Sequence, residues 1–145
     1  MELVVATGNP HKLEEIRRIF VNVPVIRVVG PDAVGGMPAV EETADTFAGN
    51  AQLKARSLLE KSGKRAVLAD DSGLEVSALN GEPGVFSARY AGEGATDTDN
   101  VKKLLQVMKD VPESERQAAF VCVLCLLCPG AEPMFYEGRV EGRIG

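Results

Sequence analysis

Two lysines and two adjacent aspartates are the residues of this chain whose types and surroundings best suit them to chemistry. Lys12 ends the stretch T-G-N-P-H-K at residues 7–12, which follows directly on the apolar run at 3–6. Asn9 is a good helix N-cap, Pro10 suits the first helical position because its missing N–H would be an orphan there, and Gly8 lets backbone approach a ligand closely. Backbone N–H groups and the positive end of a helix then face whatever lies above the strand. Lys12 adds a full positive charge in a first turn where the macrodipole alone would favour an acid. The stretch reads either as an anion site or as an ordinary strand-to-helix turn with a solvated lysine. It is not a Walker A loop, which requires Gly-x-x-x-x-Gly-Lys-Ser/Thr.

The second lysine is Lys54. On a 3.6-residue period Phe47, Ala51, Lys54, Ala55 and Leu58 share a stripe, with Asn50 at its edge, so Lys54 interrupts an apolar face. Such a lysine either snorkels to the rim or meets an anion. The aspartates stand in A-D-D-S-G at 69–73, after another apolar run. Repulsion between Asp70 and Asp71 readies one of them to bind a hard cation or to keep a raised pKa, and Glu41 and Glu42 are candidate co-ligands. The competing reading is an Asx-type turn with Gly73 supplying the unusual backbone.

Two other features carry less. Cys122, Cys125 and Cys128 mimic an iron–sulfur spacing, but on a strand of period 2 Cys125 faces away from the other two, and only Val and Leu stand between them. They read as structural. His11, the single histidine, either lines the lysine-bearing turn or marks a solvated helix start.

The elements that must position these residues alternate between the two periodicities. A strand at 3–6 leads into a helix with apolar positions 13, 16, 19 and 20; a second strand is predicted at 23–29, and a long Gly- and Pro-rich loop follows to 45. A helix from Thr46 to Ser62, stopped by Gly63, precedes strands at 65–69 and 74–79 separated by D-D-S-G. Val101, Leu104, Leu105 and Met108 form the apolar stripe of a third helix, with Thr98, Asp99 or Asn100 as its N-cap. A buried strand at 118–128 and a last strand at 134–144 complete an α/β pattern with a mixed rather than all-parallel sheet flanked by helices.

The 145 residues suit one domain, and a 45% hydrophobic content permits a core. A net charge of −5 provides no general field for nucleic acid or an anionic membrane, so any bound phosphate needs a local site. No basic leader precedes a long apolar run, and no apolar stretch approaches the roughly 18 residues of a membrane span. An odd number of clustered cysteines gives no disulfide framework. A cytoplasmic protein without nucleic-acid or membrane partners is expected.

Taken in order, TGNPHK, EETADTFAGNAQLKA, ADDSGLEV, GEPGVFSARYAGEGATD and KLLQVMKDVPESERQAAFVCVL closely resemble the inosine triphosphate pyrophosphatase family, over essentially the whole chain. The resemblance implies an elongated, two-lobed α/β fold and a homodimer. It implies magnesium-dependent hydrolysis of ITP, dITP and XTP to the nucleoside monophosphate and pyrophosphate. Thr7, Gly8, Asn9, Pro10, His11 and Lys12 would form the phosphate turn, with Lys54 a second phosphate contact. Asp71 would be the metal-linked proton acceptor, Ser72 a substrate contact, Glu42 or Glu41 the acidic metal position, and Arg89 a basic contact. Asp70 is added as a metal partner on chemical grounds.

Members of that family continue through a G-F-G-Y-D-P segment and a Ser-His-Arg that hold the base, whereas this sequence ends at G-R-I-G. The expectation is therefore a single pyrophosphatase domain at 1–145, incomplete at its C-terminus. A related pyrophosphatase of other base specificity and a nucleotide-binding fragment without turnover are the alternatives. The mechanism expected places a carboxylate-held magnesium on the phosphates, has Asp71 activate water, and leaves Lys12, Lys54 and the helix N-terminus to hold the departing pyrophosphate.

Overall fold

In a computed structural model describing residues 1–145, the apolar run near the N-terminus forms β1 (Glu2–Val5) and ends at the T-G-N turn. Asn9 then caps α1 (Pro10–Ile19), whose Pro10 occupies the first turn. The second strand, β2, is confined to Arg27–Val29 rather than starting at 23, because residues 23–26 make turn hydrogen bonds such as Ile26 N–H to the Val23 carbonyl. The long loop that follows contains one short 3-10 turn, Pro31–Val34. Thr46 caps α2 (Phe47–Leu59), and Gly63, in the left-handed region, ends the 3-10 extension that follows it.

The largest departure from the sequence expectation comes next. D-D-S-G makes no turn: β3 (Ala66–Val76) runs straight through it, so the two strands expected at 65–69 and 74–79 are one. The remaining elements are α3 (Asp97–Val107), β4 (Gln117–Leu127) and β5 (Met134–Arg143). The five strands are ordered β2-β1-β3-β4-β5, with β1 parallel to both β2 and β3.

The chain divides into two compact units, one of residues 1–71 and 123–136, the other of 72–122 and 137–145. In the first, strand alternation sorts the core into two faces. Leu3, Val5, Ala66 and Leu68 pack with Ile16 of α1, and Val4, Ala6, Val67 and Ala69 pack with Ala51, Ala55 and Leu58 of α2. Leu58 is fully buried, and burying such a side chain is worth about 1.5–3 kcal/mol. The cysteine-bearing strand obeys the same parity: Cys125 joins the α2 face, Cys128 the α1 face, and none of the three cysteines is in a disulfide.

The second unit is built on Val76, Leu104, Met108 and Ala118. Its helix α3 is capped by Thr96 rather than by a residue at 98–100, in a reciprocal capping box with Asp99. Of the expected stripe, Leu104 and Met108 are buried, while Val101 and Leu105 are exposed. Arg116 closes the C-terminal end of α3 by donating to the carbonyls of Met108 and Val111.

Candidate active site

The T-G-N turn is locked by its own side chains. Thr7 Oγ1 accepts from the Asn9 N–H at 3.1 Å, and Asn9 Oδ1 accepts from the His11 N–H at 2.9 Å. The turn follows the last residue of β1, and Ala6 N–H bonds the Leu68 carbonyl of β3 at 2.8 Å. The N-terminus of α1 therefore stands at the carboxyl ends of the parallel strands β1 and β2, beside β3, which runs on past it; the carboxyl ends of strands are where open α/β sheets bind ligands. A cavity of about 160 Å³ opens on it, with Thr7, Gly8, Asn9 and Pro10 on one side and Pro31, Asp32 and Met37 on the other. A Cβ built on Gly8 would meet nothing, so this is open space rather than packed turn. His11 is exposed, and its recorded part in the turn is played by its backbone.

Beyond the pairing of β3 with β1 come the two aspartates, and the parity that sorted the core sorts them. Asp70, buried at 7% exposure, pairs with Lys12 of α1 at 3.1 Å. Asp71 follows Val67 and Ala69 onto the α2 side, where Lys54 Nζ lies 3.8 Å from its Oδ1 and 3.0 Å from Glu42 Oε1. Lys54 does interrupt the apolar stripe of α2, and it meets carboxylates there. Of the two glutamates, Glu42 reaches this cluster; Glu41 is exposed, and its backbone carbonyl accepts from Thr43 N–H. The four acidic residues considered as metal ligands are thus not one group: Glu42 and Asp71 share Lys54, while Asp70 belongs to Lys12. No three acidic, histidine or cysteine side chains converge as a ready-made metal cage.

Burial pushes the Asp71 carboxyl above its ordinary pKa; the Lys54 ammonium opposes this, and the Glu42 and Asp70 charges reinforce it. Its Oδ2 is buried and has no hydrogen-bond partner, an expensive state for a carboxylate oxygen. Two carboxylates from different elements, one with a buried unpaired oxygen, suit a magnesium ion, which typically takes one or two protein carboxylates and fills its other positions with water and phosphate oxygens.

Asn50 is the residue of this site to which sequence reasoning gave no role. It is fully buried in α2, and its Oδ1 accepts from the Ala44 N–H at 2.9 Å, tying down the loop that carries Glu42. Its amide also lies against Asp71 and draws that carboxyl down somewhat, but Asn50 Nδ2 and Asp71 Oδ2 close no hydrogen bond of standard geometry. A polar residue on the buried stripe of a helix was the available signal.

The other two predicted contacts lie in the second unit. Ser72 lines a largely apolar cavity of about 350 Å³ together with Leu74, Tyr90, Leu104 and Phe120. The Arg89 guanidinium stands over the Phe86 ring at 5.1 Å.

Comparison with known proteins points the same way as the motifs. The profile of the Ham1 family matches residues 3–145. A dITP/XTP pyrophosphatase of Oceanobacillus iheyensis is 43% identical over 99% of this chain and 72% of its own length, and one from a Thermoanaerobacter species is 46% identical over 99% and 71%. Among solved structures, the Staphylococcus aureus Ham1 protein superposes with a TM-score of 0.88 at 41% identity, over 100% of this chain and 72% of that one. The nucleoside-triphosphatase / dITP/XTP pyrophosphatase of Mycobacterium abscessus does so at 0.86 and 40%, over 99% and 74%.

Proposed function

Because the chain belongs to the Ham1 family, we propose that it hydrolyses non-standard purine nucleoside triphosphates, ITP, dITP and XTP, to the monophosphate and pyrophosphate. The observation that carries this reading is that consecutive aspartates just past the end of β1 each meet a lysine: Asp70 pairs with Lys12 beside the open N-terminus of α1, and Asp71, whose buried Oδ2 is unpaired, lies by Lys54 of α2.

In this reading the T-G-N turn and Lys12 take the outer phosphates, where backbone N–H groups, helix dipole and ammonium all favour negative charge. Lys54 reaches the same polyphosphate from α2. Glu42 and Asp71 would hold a magnesium ion, which when bound offsets charge on the phosphate oxygens. Asp71 accepts a proton from water as the water oxygen bonds to phosphorus, and the anhydride between the α- and β-phosphates breaks. The leaving pyrophosphate takes the bonding electrons and is held by both lysines. Removal of non-standard triphosphates from the nucleotide pool would be the outcome. The family resemblance supports a homodimer, and three cysteines outside any disulfide suit a reducing cytoplasm; no helix is long and apolar enough to cross a membrane.

The test is product analysis with ITP, XTP, ATP and GTP in the presence of magnesium. Pyrophosphate should be released, and faster from ITP and XTP. Orthophosphate as the first product, or equal rates on ATP, would overturn the reading.

A further inference from the structure

Lys54 is placed for more than phosphate binding. One ammonium, 20% exposed, lies within 4 Å of carboxylates from two different elements, the loop residue Glu42 and the strand residue Asp71. These are the same two carboxylates assigned above to magnesium. Without a cation between them they would repel one another in a partly desolvated setting, and the lysine removes that repulsion. A divalent ion approaching the pair must therefore enter against a positive charge already seated there. The ammonium also leaves Asp71 Oδ2 unsatisfied, so the pair retains an acceptor that the lysine does not use.

Resting on the reading of this site as a polyphosphate hydrolase, we propose that Lys54 is a resident counter-cation that occupies the metal position of Glu42 and Asp71 until a polyphosphate draws its ammonium away. A triphosphate carries more negative charge than the two carboxylates and offers strong acceptors, so it is the better partner for the ammonium. Its arrival bares the carboxylates as it supplies the phosphate oxygens that complete the metal's shell. Metal and nucleotide then load together, and by linkage each strengthens the binding of the other. The free protein is correspondingly a poor metal binder, although it carries the ligands.

The experiment reads Mn2+ binding to the nucleotide-free protein by electron paramagnetic resonance or calorimetry, so it does not depend on turnover. Lys54→Met should bind Mn2+ at least about tenfold more tightly than the parent, the direction expected when a like charge leaves the site, and Lys54→Arg should stay near the parent. Lys54→Gln is the second variant, used if Lys54→Met fails to fold. Adding Glu42→Gln to either should abolish the gain. Unchanged or weaker Mn2+ binding in a folded, charge-free variant would overturn this inference and leave the hydrolase reading standing. No Mn2+ binding by parent or variants would overturn this inference together with the metal assignment. Loss of ITP hydrolysis with tightened Mn2+ binding supports it.

Discussion

Asp70 and Asp71 are consecutive on β3 but are held by different helices: Asp70 pairs with Lys12 of α1 at 3.1 Å, and Asp71 lies 3.8 Å from Lys54 of α2. The cause is the period of two. Ala66 and Leu68 face α1, Val67 and Ala69 face α2, and the aspartates continue the alternation past the point where β1 ends. A turn at D-D-S-G would have ended that alternation at the aspartates. The extended strand instead gives each lysine its own acid, so the two phosphate-binding candidates are fixed from opposite sides of the sheet.

Lys12→Ala should therefore damage stability as well as binding. It strands the carboxylate of Asp70, which is 7% exposed, and an uncompensated buried polar group costs about 1–3 kcal/mol. Thermal unfolding should fall by several degrees, and KM for the nucleotide should rise. Adding Asp70→Ala should restore most of the melting temperature without restoring KM. Full recovery of activity in the double variant would show that Lys12 does not meet the phosphates.

Asp71 predicts a pH dependence of definite sign. Burial raises its pKa in the folded protein above the unfolded value, so in the window between the two the folded state binds more protons than the unfolded chain. Stability then falls as pH rises through that window, and the burden of the ionised carboxylate is fully present above it. Asp71→Asn should melt higher than the parent near pH 7, with the difference shrinking as the buffer is taken down through the raised pKa. Its turnover should drop by about two orders of magnitude or more, the usual contribution of a general base. A variant that melts lower at pH 7 but not at acid pH would contradict the assignment of burial as the dominant influence.

How much was legible beforehand depended on whether the decisive interaction was local. T-G-N-P-H-K could be read because Asn9, Pro10 and Thr7 act within four residues of one another, and the turn is bonded as those residue types suggest. The stripe of α2 and the parity of the cysteines follow from periodicity alone. D-D-S-G was misread because Asp, Ser and Gly are turn formers locally, while the continuation of β3 is set by neighbouring strands far away in sequence. The cap of α3 was missed by two residues for a simpler reason: several good cappers stand in a row, and only the reciprocal bond with Asp99 selects Thr96. Which glutamate faces Lys54 also had no local signature, since it depends on how the long loop returns to α2.

Thr96 offers a check that is independent of the site. Its Oγ1 accepts from the Asp99 N–H at 3.1 Å, and the Asp99 carboxylate accepts from the Thr96 N–H at 3.0 Å. Thr96→Ala should cost about 1 kcal/mol in denaturant unfolding. The Thr96 hydrogen bonds hold the Asp99 carboxyl below its ordinary pKa, so its share of stability is present above the unfolded value and disappears as pH falls through the folded one. Asp99→Asn should therefore lose stability at neutral pH and approach the parent in acid. Equal losses at both pH values would mean that the side-chain charge plays no part.

The last prediction concerns Asn50, which joins the two acidic residues of the site through one side chain. Its carbonyl oxygen holds the Ala44 N–H of the loop bearing Glu42, while its amide lies beside Asp71 with a buried, unpaired Nδ2. Because these two contacts use different atoms, they can be separated by substitution. Asn50→Ala loses both: the loop is released, the Ala44 N–H is left without its partner, and stability should fall by about 1–3 kcal/mol, the penalty for an unmade buried bond. Asn50→Asp keeps an acceptor for Ala44 but places a second acid where Asp71 already bears an unfavourable charge. It should keep the loop ordered, so KM for the nucleotide should move little. Its kcat should drop by about one to two orders of magnitude, less than the roughly 10²–10⁴-fold that a general base contributes in full. Steady-state kinetics and melting curves on both variants decide the matter. If Asn50→Asp raised KM as much as Asn50→Ala with kcat unchanged, the residue would serve only to hold the loop, and Asp71 would have to be oriented by Lys54 alone.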